Sequence, residues 1–143
     1  MTIYLASDHA GFNVKEQVKK LLHDHKVVDL GPEDESRVNY PDFATSVCRK
    51  LQAEQNSRGI LICGSGIGMS MTANRFSSIR AALCRTLEEA QLSREHNDAN
   101  VLCIGARTTD EALILKIVKK WLEVDFAGGR HSDRLALFDS LGS

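Results

Sequence analysis

The chain has 143 residues, 43% of them apolar and 26% charged, with a net charge of −1 from 18 basic and 19 acidic side chains. That length suits one domain around one core, so a single domain over residues 1–143 is expected. The balanced charge gives no electrostatic reason to expect nucleic acid or an anionic membrane as partner, and no apolar run approaches the roughly 20 residues of a membrane helix.

Ile3 to Ala6 reads as a first strand. Gly11 to Asp24 follows as a helix, with Val14, Val18, Leu21 and Leu22 at helical spacing and lysines on the other face. Val27 to Leu30 is a second strand, stopped by Gly31-Pro32. Pro41 opens a helix that turns Phe43, Val47, Cys48 and Leu51 inward. Gly59 to Cys63 is a third strand, apolar at nearly every position as in a strand buried on both faces. A glycine-rich turn leads into a helix from about Gly68. Ile79 to Cys84 is a fourth strand, Thr86 to Glu95 a helix, and Val101 to Gly105 a fifth strand. Ile114, Ile117, Val118, Trp121 and Leu122 mark an amphipathic helix, broken by Gly128-Gly129, and a last short helix spans Ser132 to Leu141. The alternation predicts an α/β, Rossmann-like doubly wound domain of about five parallel strands with helices on both faces. Ligands in such sheets bind beyond the carboxyl ends of the strands.

Polar residues gather in the connecting loops: Asp8-His9 after the first strand, the run from Cys63 to Ser70 after the third, His96 to Asn100 before the fifth with Arg107 after it, and Arg130 to Arg134 beyond the long helix. The glycines at 64, 66 and 68 let the backbone approach a ligand with its N–H groups turned inward, and the following helix adds its positive end. The run is a cradle for negative charge or a tight strand-to-helix turn. It lacks G-x-x-x-x-G-K-S/T, breaks G-x-G-x-x-G at Met69, and contains no G-x-S-x-G elbow.

The cradle begins at Cys63, where the setting favours a thiolate able to act as base or nucleophile; the bland alternative is a core thiol ending an apolar strand. The other cysteines, Cys48, Cys84 and Cys103, read as core residues. Four irregularly spaced thiols form neither a zinc nor an evident disulfide framework and suit a reducing cytoplasm. The N-terminus lacks the charged segment and apolar run of a secretory signal. Asp8 is an acid/base or a cap for the first helix. His96 is an acid/base or a cation at a helix C-terminus. Asn97 and Asn100 can be turn residues. Arg130 and Arg134, four apart, suit a phosphate dianion or a solvated face. Lys15, Lys19, Lys20, Lys116, Lys119 and Lys120 read as solvated helix faces.

Six stretches in order, S-D-H-A-G-F (7–12), N-Y-P-D-F-A (39–44), G-I-L-I-C-G-S-G-I-G-M-S-M-T-A-N-R (59–75), I-R-A-A-L-C (79–84), L-S-R-E-H-N-D-A-N-V-L-C-I-G-A-R (92–107) and G-G-R-H (128–131), resemble the ribose-5-phosphate isomerase B family, which includes galactose-6-phosphate isomerase subunits. The resemblance implies a homodimer, with a tetramer as alternative, whose active sites are shared between subunits, and metal-free, cofactor-free aldose–ketose isomerisation through an enediol. By position, Cys63 matches the general base, and Ser65 stands where many members carry threonine. The Gly64, Gly66, Ile67 and Gly68 backbone matches the anion hole. Asp8 or His96 would open the sugar ring, and Tyr40 and Asn97 would contact the sugar. His9, Arg130 and Arg134 would hold the phosphate, with Arg107 reaching in from a partner subunit. Members that use a glutamate after the cradle differ from this chain, where Met69 and Ser70 follow Gly68.

Ribose 5-phosphate is the expected substrate, with allose or galactose 6-phosphate as alternatives. A cysteine phosphatase is disfavoured because Met69 stands where the phosphate-binding arginine would be. A non-catalytic sugar-phosphate-binding module would have no use for the thiol.

Overall fold

The computed structural model describes residues 1–142. The elements are β1 (Thr2–Ser7), α1 (Phe12–Leu21), β2 (Lys26–Asp29), α2 (Tyr40–Ala53), β3 (Ser57–Cys63), α3 (Ile67–Ala73), β4 (Ala81–Leu83), α4 (Leu87–Glu95), β5 (Val101–Gly105), α5 (Glu111–Glu123) and α6 (Arg130–Asp139). All five strands pair in parallel, in the order β2-β1-β3-β5-β4. This is the expected α/β, Rossmann-like architecture. The chain runs outward from β1 to β2 on one side and to β3 on the other, so the crevice of this sheet opens between the carboxyl ends of β1 and β3.

Strand alternation divides the core into two layers. Ile3, Leu5, Ile60, Ile62, Leu102 and Ile104 point to one face and pack under α1, α4 and α5, with Val18, Ile117 and Trp121 fully buried there. Tyr4, Ala6, Leu61, Cys63, Val101 and Cys103 point to the other face, under α2 and α3. Side chains of consecutive strand residues leave on opposite sides, and that is why the central runs had to be apolar throughout.

Several boundaries move for identifiable reasons. Helix α1 stops at Leu21, three residues short of expectation: the Leu22 N–H closes on the Val18 carbonyl and a turn follows. Strand β4 shrinks to three residues because side chains replace its outer ladder. Asn74 gives Nδ2–H to the Ala81 carbonyl at 3.0 Å and takes the Ala81 N–H at 2.8 Å, while the Arg80 N–H goes to Asn100 Oδ1. Helix α6 begins at Arg130 rather than Ser132, so Arg130 and Arg134 both lie on it.

The largest departure is Lys15. Among the lysines read as solvated, it is fully buried and ion-paired to Asp29 at 2.8 Å, and Lys19 reaches the same carboxylate at 2.8 Å. Burial would raise the Asp29 carboxyl, but the hydrogen bonds from Lys15 and Lys19 outweigh it and hold the group below the usual carboxylate range. Among the described residues no helix is long and apolar enough to cross a membrane.

Candidate active site

Strand β3 ends at Cys63, and its alternation sends the side chain to the α2–α3 face. The chain then turns through Gly66, whose φ of 78° is left-handed and whose missing Cβ makes room for Leu83 and the Ile104–Gly105 peptide. This turn folds the Gly66 N–H back onto Cys63, where it donates to Sγ at 3.1 Å. Ser65 Oγ accepts the Ile67 N–H at 3.2 Å. The first turn of α3 leaves the N–H groups of Gly68 and Met69 without intrahelical acceptors.

Cys63, Gly64, Ser65, Ile67 and Gly68 form one wall of an open cleft of about 640 Å³, which Asp8, Tyr40, Met71, Arg107 and Thr108 complete. That size suits a small molecule. Asp8 is buried at the β1 end; its Oδ1 accepts the Gly11 N–H at 3.1 Å and its own N–H binds the Ile62 carbonyl. The turn role and a place on the cleft wall thus coexist. Beside it, His9 Nδ1 accepts the Val38 N–H at 3.3 Å, which leaves the proton of a neutral ring on Nε2. Tyr40 opens α2, and its ring packs against Gly68 so closely that any Cβ there would overlap it. Arg107 is a correction: expected to reach another subunit's site, it lies over Gly64 of its own chain, tied by its N–H to the Gly64 carbonyl at 2.9 Å.

The remaining cysteines are core thiols. Burial pushes Cys48 up to about 12 and Cys84 up to about 11, and Cys103 rises well above the ordinary thiol value for the same reason. Of the four free cysteines, Cys63 is the one that lines this cleft.

His96, Asn97, Arg130 and Arg134 lie elsewhere. Helix α4 runs antiparallel to the strands, so its C-terminal residue region delivers His96 and Asn97 to the opposite edge of the sheet, just before β5 starts. Cys63 is level with Gly105 at the far end of β5, about 16 Å away at strand rise. The segment after α5 returns to that same edge: the Ala127 N–H binds the Glu95 carbonyl, and the His131 ring stacks on His96 at 4.3 Å. Burial, then the charges of His96, Arg130 and Arg134, push the His131 imidazole below its ordinary value. Asn97 lines a separate cleft of about 490 Å³ between the β4 edge and the end of α6. The candidate residues therefore fall into two groups: Asp8, His9, Tyr40, Cys63, the cradle and Arg107 at one end of the sheet; His96, Asn97, Arg130 and Arg134 at the other.

Three residues escaped the sequence reading. Thr108 and Met71 line the cleft; Thr108 follows β5 and could have been found by the strand-end rule, whereas Met71 carries no polar group to mark it and is exposed on α3. His131 belongs to the G-G-R-H stretch, but only the fold reveals its stacking partner. Among the described residues no three His, Cys, Asp or Glu side chains come together as a metal-ligand set.

The comparisons with known proteins agree with this fold. Residues 3–138 match a model of the ribose/galactose isomerase family. Ribose-5-phosphate isomerase B of Escherichia coli is 40% identical over 135 residues, covering 93% of this chain and 91% of that protein. The structure of Clostridium thermocellum ribose-5-phosphate isomerase B superposes with a TM-score of 0.96 at 40% identity, over 99% of this chain and 97% of that one. Ribose-5-phosphate isomerase B from Mycoplasma genitalium with bound ribulose 5-phosphate superposes with a TM-score of 0.93 at 39% identity, over 96% and 93% of the two chains. With matches of this extent and identity, the chain belongs to the ribose/galactose isomerase family.

Proposed function

We propose that the protein is an aldose–ketose isomerase that interconverts ribose 5-phosphate and ribulose 5-phosphate, with Cys63 as the base. The observation that carries this reading is a thiol at the end of β3 that faces a cleft and accepts the Gly66 N–H. In the open-chain aldose, the thiolate of Cys63 takes the proton from C2. The C2–H electron pair forms the C1–C2 double bond, and the carbonyl pair moves onto O1. The cradle N–H groups then face an enediolate oxygen that carries more charge than the ground-state carbonyl did, so they lower the barrier. The proton of the C2 hydroxyl passes to O1, the O2 electron pair forms the C2 carbonyl, and the C1–C2 double-bond pair takes the proton back at C1 from the same thiol or through Ser65, giving the ketose. Asp8 is the ring-opening acid/base within the cleft, and Tyr40 holds the sugar.

A second copy of the chain completes the site. The phosphate-binding arginines and His96–Asn97 are at the wrong end of their own sheet, and a rigid sheet cannot bend them round. A dimer that sets the α6 edge of one protomer over the cleft of its partner brings Arg130 and Arg134 to the substrate phosphate beside His9, and His96 to the ring oxygen. The exposed Ile67 and Met71, one turn apart on α3 beside the cleft, give that contact an apolar lining. Four free thiols fit a reducing, cytoplasmic setting.

The test is turnover of ribose 5-phosphate in the presence of EDTA. Conversion that persists in EDTA and falls by about 10²-fold or more in Cys63→Ala, with sugar phosphate still bound, is the expected result. Near-normal turnover in Cys63→Ala removes the thiol from the mechanism. Binding without turnover in the unmodified protein points to a six-carbon substrate or a sensor.

A further inference from the structure

Lys15 has no solvent exposure, yet it is an ionisable side chain in an ion pair. Its ammonium group donates to Asp29 Oδ1 at 2.9 Å, to Asp29 Oδ2 at 2.8 Å and to the Pro32 carbonyl at 2.7 Å. Burying an ion pair gives little net stability, and apolar residues of similar volume often replace one without loss. A methionine at position 15 could fill the same space. It could not hold the Pro32 carbonyl.

That carbonyl begins the loop between β2 and α2. The same carboxylate accepts the Gly31 N–H at 2.8 Å, and the Ser7 N–H donates to the Gly31 carbonyl at 3.0 Å. The start of the loop is thus fastened to α1, β1 and β2 together. Residues 33–37 are exposed and add no core contact. At its far end the Val38 N–H meets His9 Nδ1, and two residues later Tyr40 lies against Gly68. The loop therefore reaches the cleft from one fastened end across an exposed middle.

We propose that Lys15, paired with Asp29, is a positioning residue of the active site: it clamps the start of the β2–α2 loop so that the Val38 N–H meets His9 Nδ1 and keeps the His9 proton on Nε2. The effect on catalysis rests on the isomerase reading above; the effect on His9 does not.

The experiment compares the full-length protein with Lys15→Met, the double variant Lys15→Met/Asp29→Leu, and Val38→Pro. Readouts are melting temperature, the ring-nitrogen NMR shifts of His9 (assigned with His9→Gln), and steady-state kinetics on ribose 5-phosphate. Lys15→Met leaves Asp29 short of a partner and melts lower. The double variant removes both charges and recovers melting temperature, but its His9 loses the single Nε2–H signature, and KM rises about tenfold while kcat changes by less than about threefold. Val38→Pro removes the donor without touching the ion pair and gives the same His9 change. A double variant that melts like the original protein and keeps its His9 nitrogen shifts overturns the proposal. So does an unchanged His9 spectrum in Val38→Pro. Should the protein not turn over ribose 5-phosphate at all, the NMR comparison still decides the point.

Discussion

The phenol ring of Tyr40 occupies the space that a side chain on Gly68 would need. Tyr40 is the first residue of α2 and Gly68 the second of α3, so two helices on the same face of the sheet meet edge to edge at the cleft. Because Tyr40 is partly exposed, an added methyl displaces the ring rather than the helix.

Gly68→Ala and Tyr40→Ala should therefore damage the same contact. Each is expected to lower kcat/KM by about tenfold with little change in melting temperature, and the double variant to be no worse than either alone, a coupling of about 1.4 kcal/mol. Steady-state kinetics on the three variants checks this. Additive losses would mean that the two residues act independently.

If a second copy completes the site as proposed, the separation of the two residue groups predicts complementation. Cys63→Ala and Arg130→Ala should each be nearly inactive as purified. After mixing under conditions that exchange subunits, half of the dimers would pair one lesion with the other and hold one intact site. Recovery of about a quarter of the original activity is expected. If the mixture stays inactive while subunit exchange is demonstrated by mass spectrometry, the site is not shared in this way.

Asp29 makes stability depend on acid. Its folded-state pKa is lowered because the hydrogen bonds from Lys15 and Lys19 outweigh the opposing effect of burial. Its contribution is therefore complete above the unfolded value of about 3.9 and is lost as pH falls through the lower folded value. Asp29→Asn, which leaves the buried Lys15 ammonium only the more distant Glu16 carboxylate at 3.5 Å, should cost about 3 kcal/mol at pH 6. The gap in melting temperature between the two proteins should narrow as pH falls below about 4. A gap that is constant from pH 6 to pH 3 would show that the ion pair carries no such term.

The sequence by itself determined the repeating plan of this protein. Period-two and period-3.6 patterns are local, and they placed all five strands and the helices between them to within a few residues. The cradle and Cys63 were legible for the same reason: a fully apolar strand ending in Cys-Gly-x-Gly-x-Gly states both its burial and its turn. The acid/base and turn readings of Asp8 are both compatible with its place, since one carboxylate can cap a turn and line a cleft.

Tertiary structure decided what depends on partners distant in the chain. A lysine on α1 looked like solvated surface because its counter-charge lies 14 residues away on β2; pairing, not periodicity, fixes its burial. The strand order β2-β1-β3-β5-β4 puts the crevice between β1 and β3, and strand-to-strand register is a long-range property that no local window contains. Arg107 lies beside Gly64 because it follows the carboxyl end of β5, whereas the distance of His96, Asn97, Arg130 and Arg134 from Cys63 follows from helix direction. A helix that returns antiparallel to a parallel sheet delivers its C-terminal residues to the edge opposite the strand ends, and so the fold divides between two ends what the sequence had presented as one set.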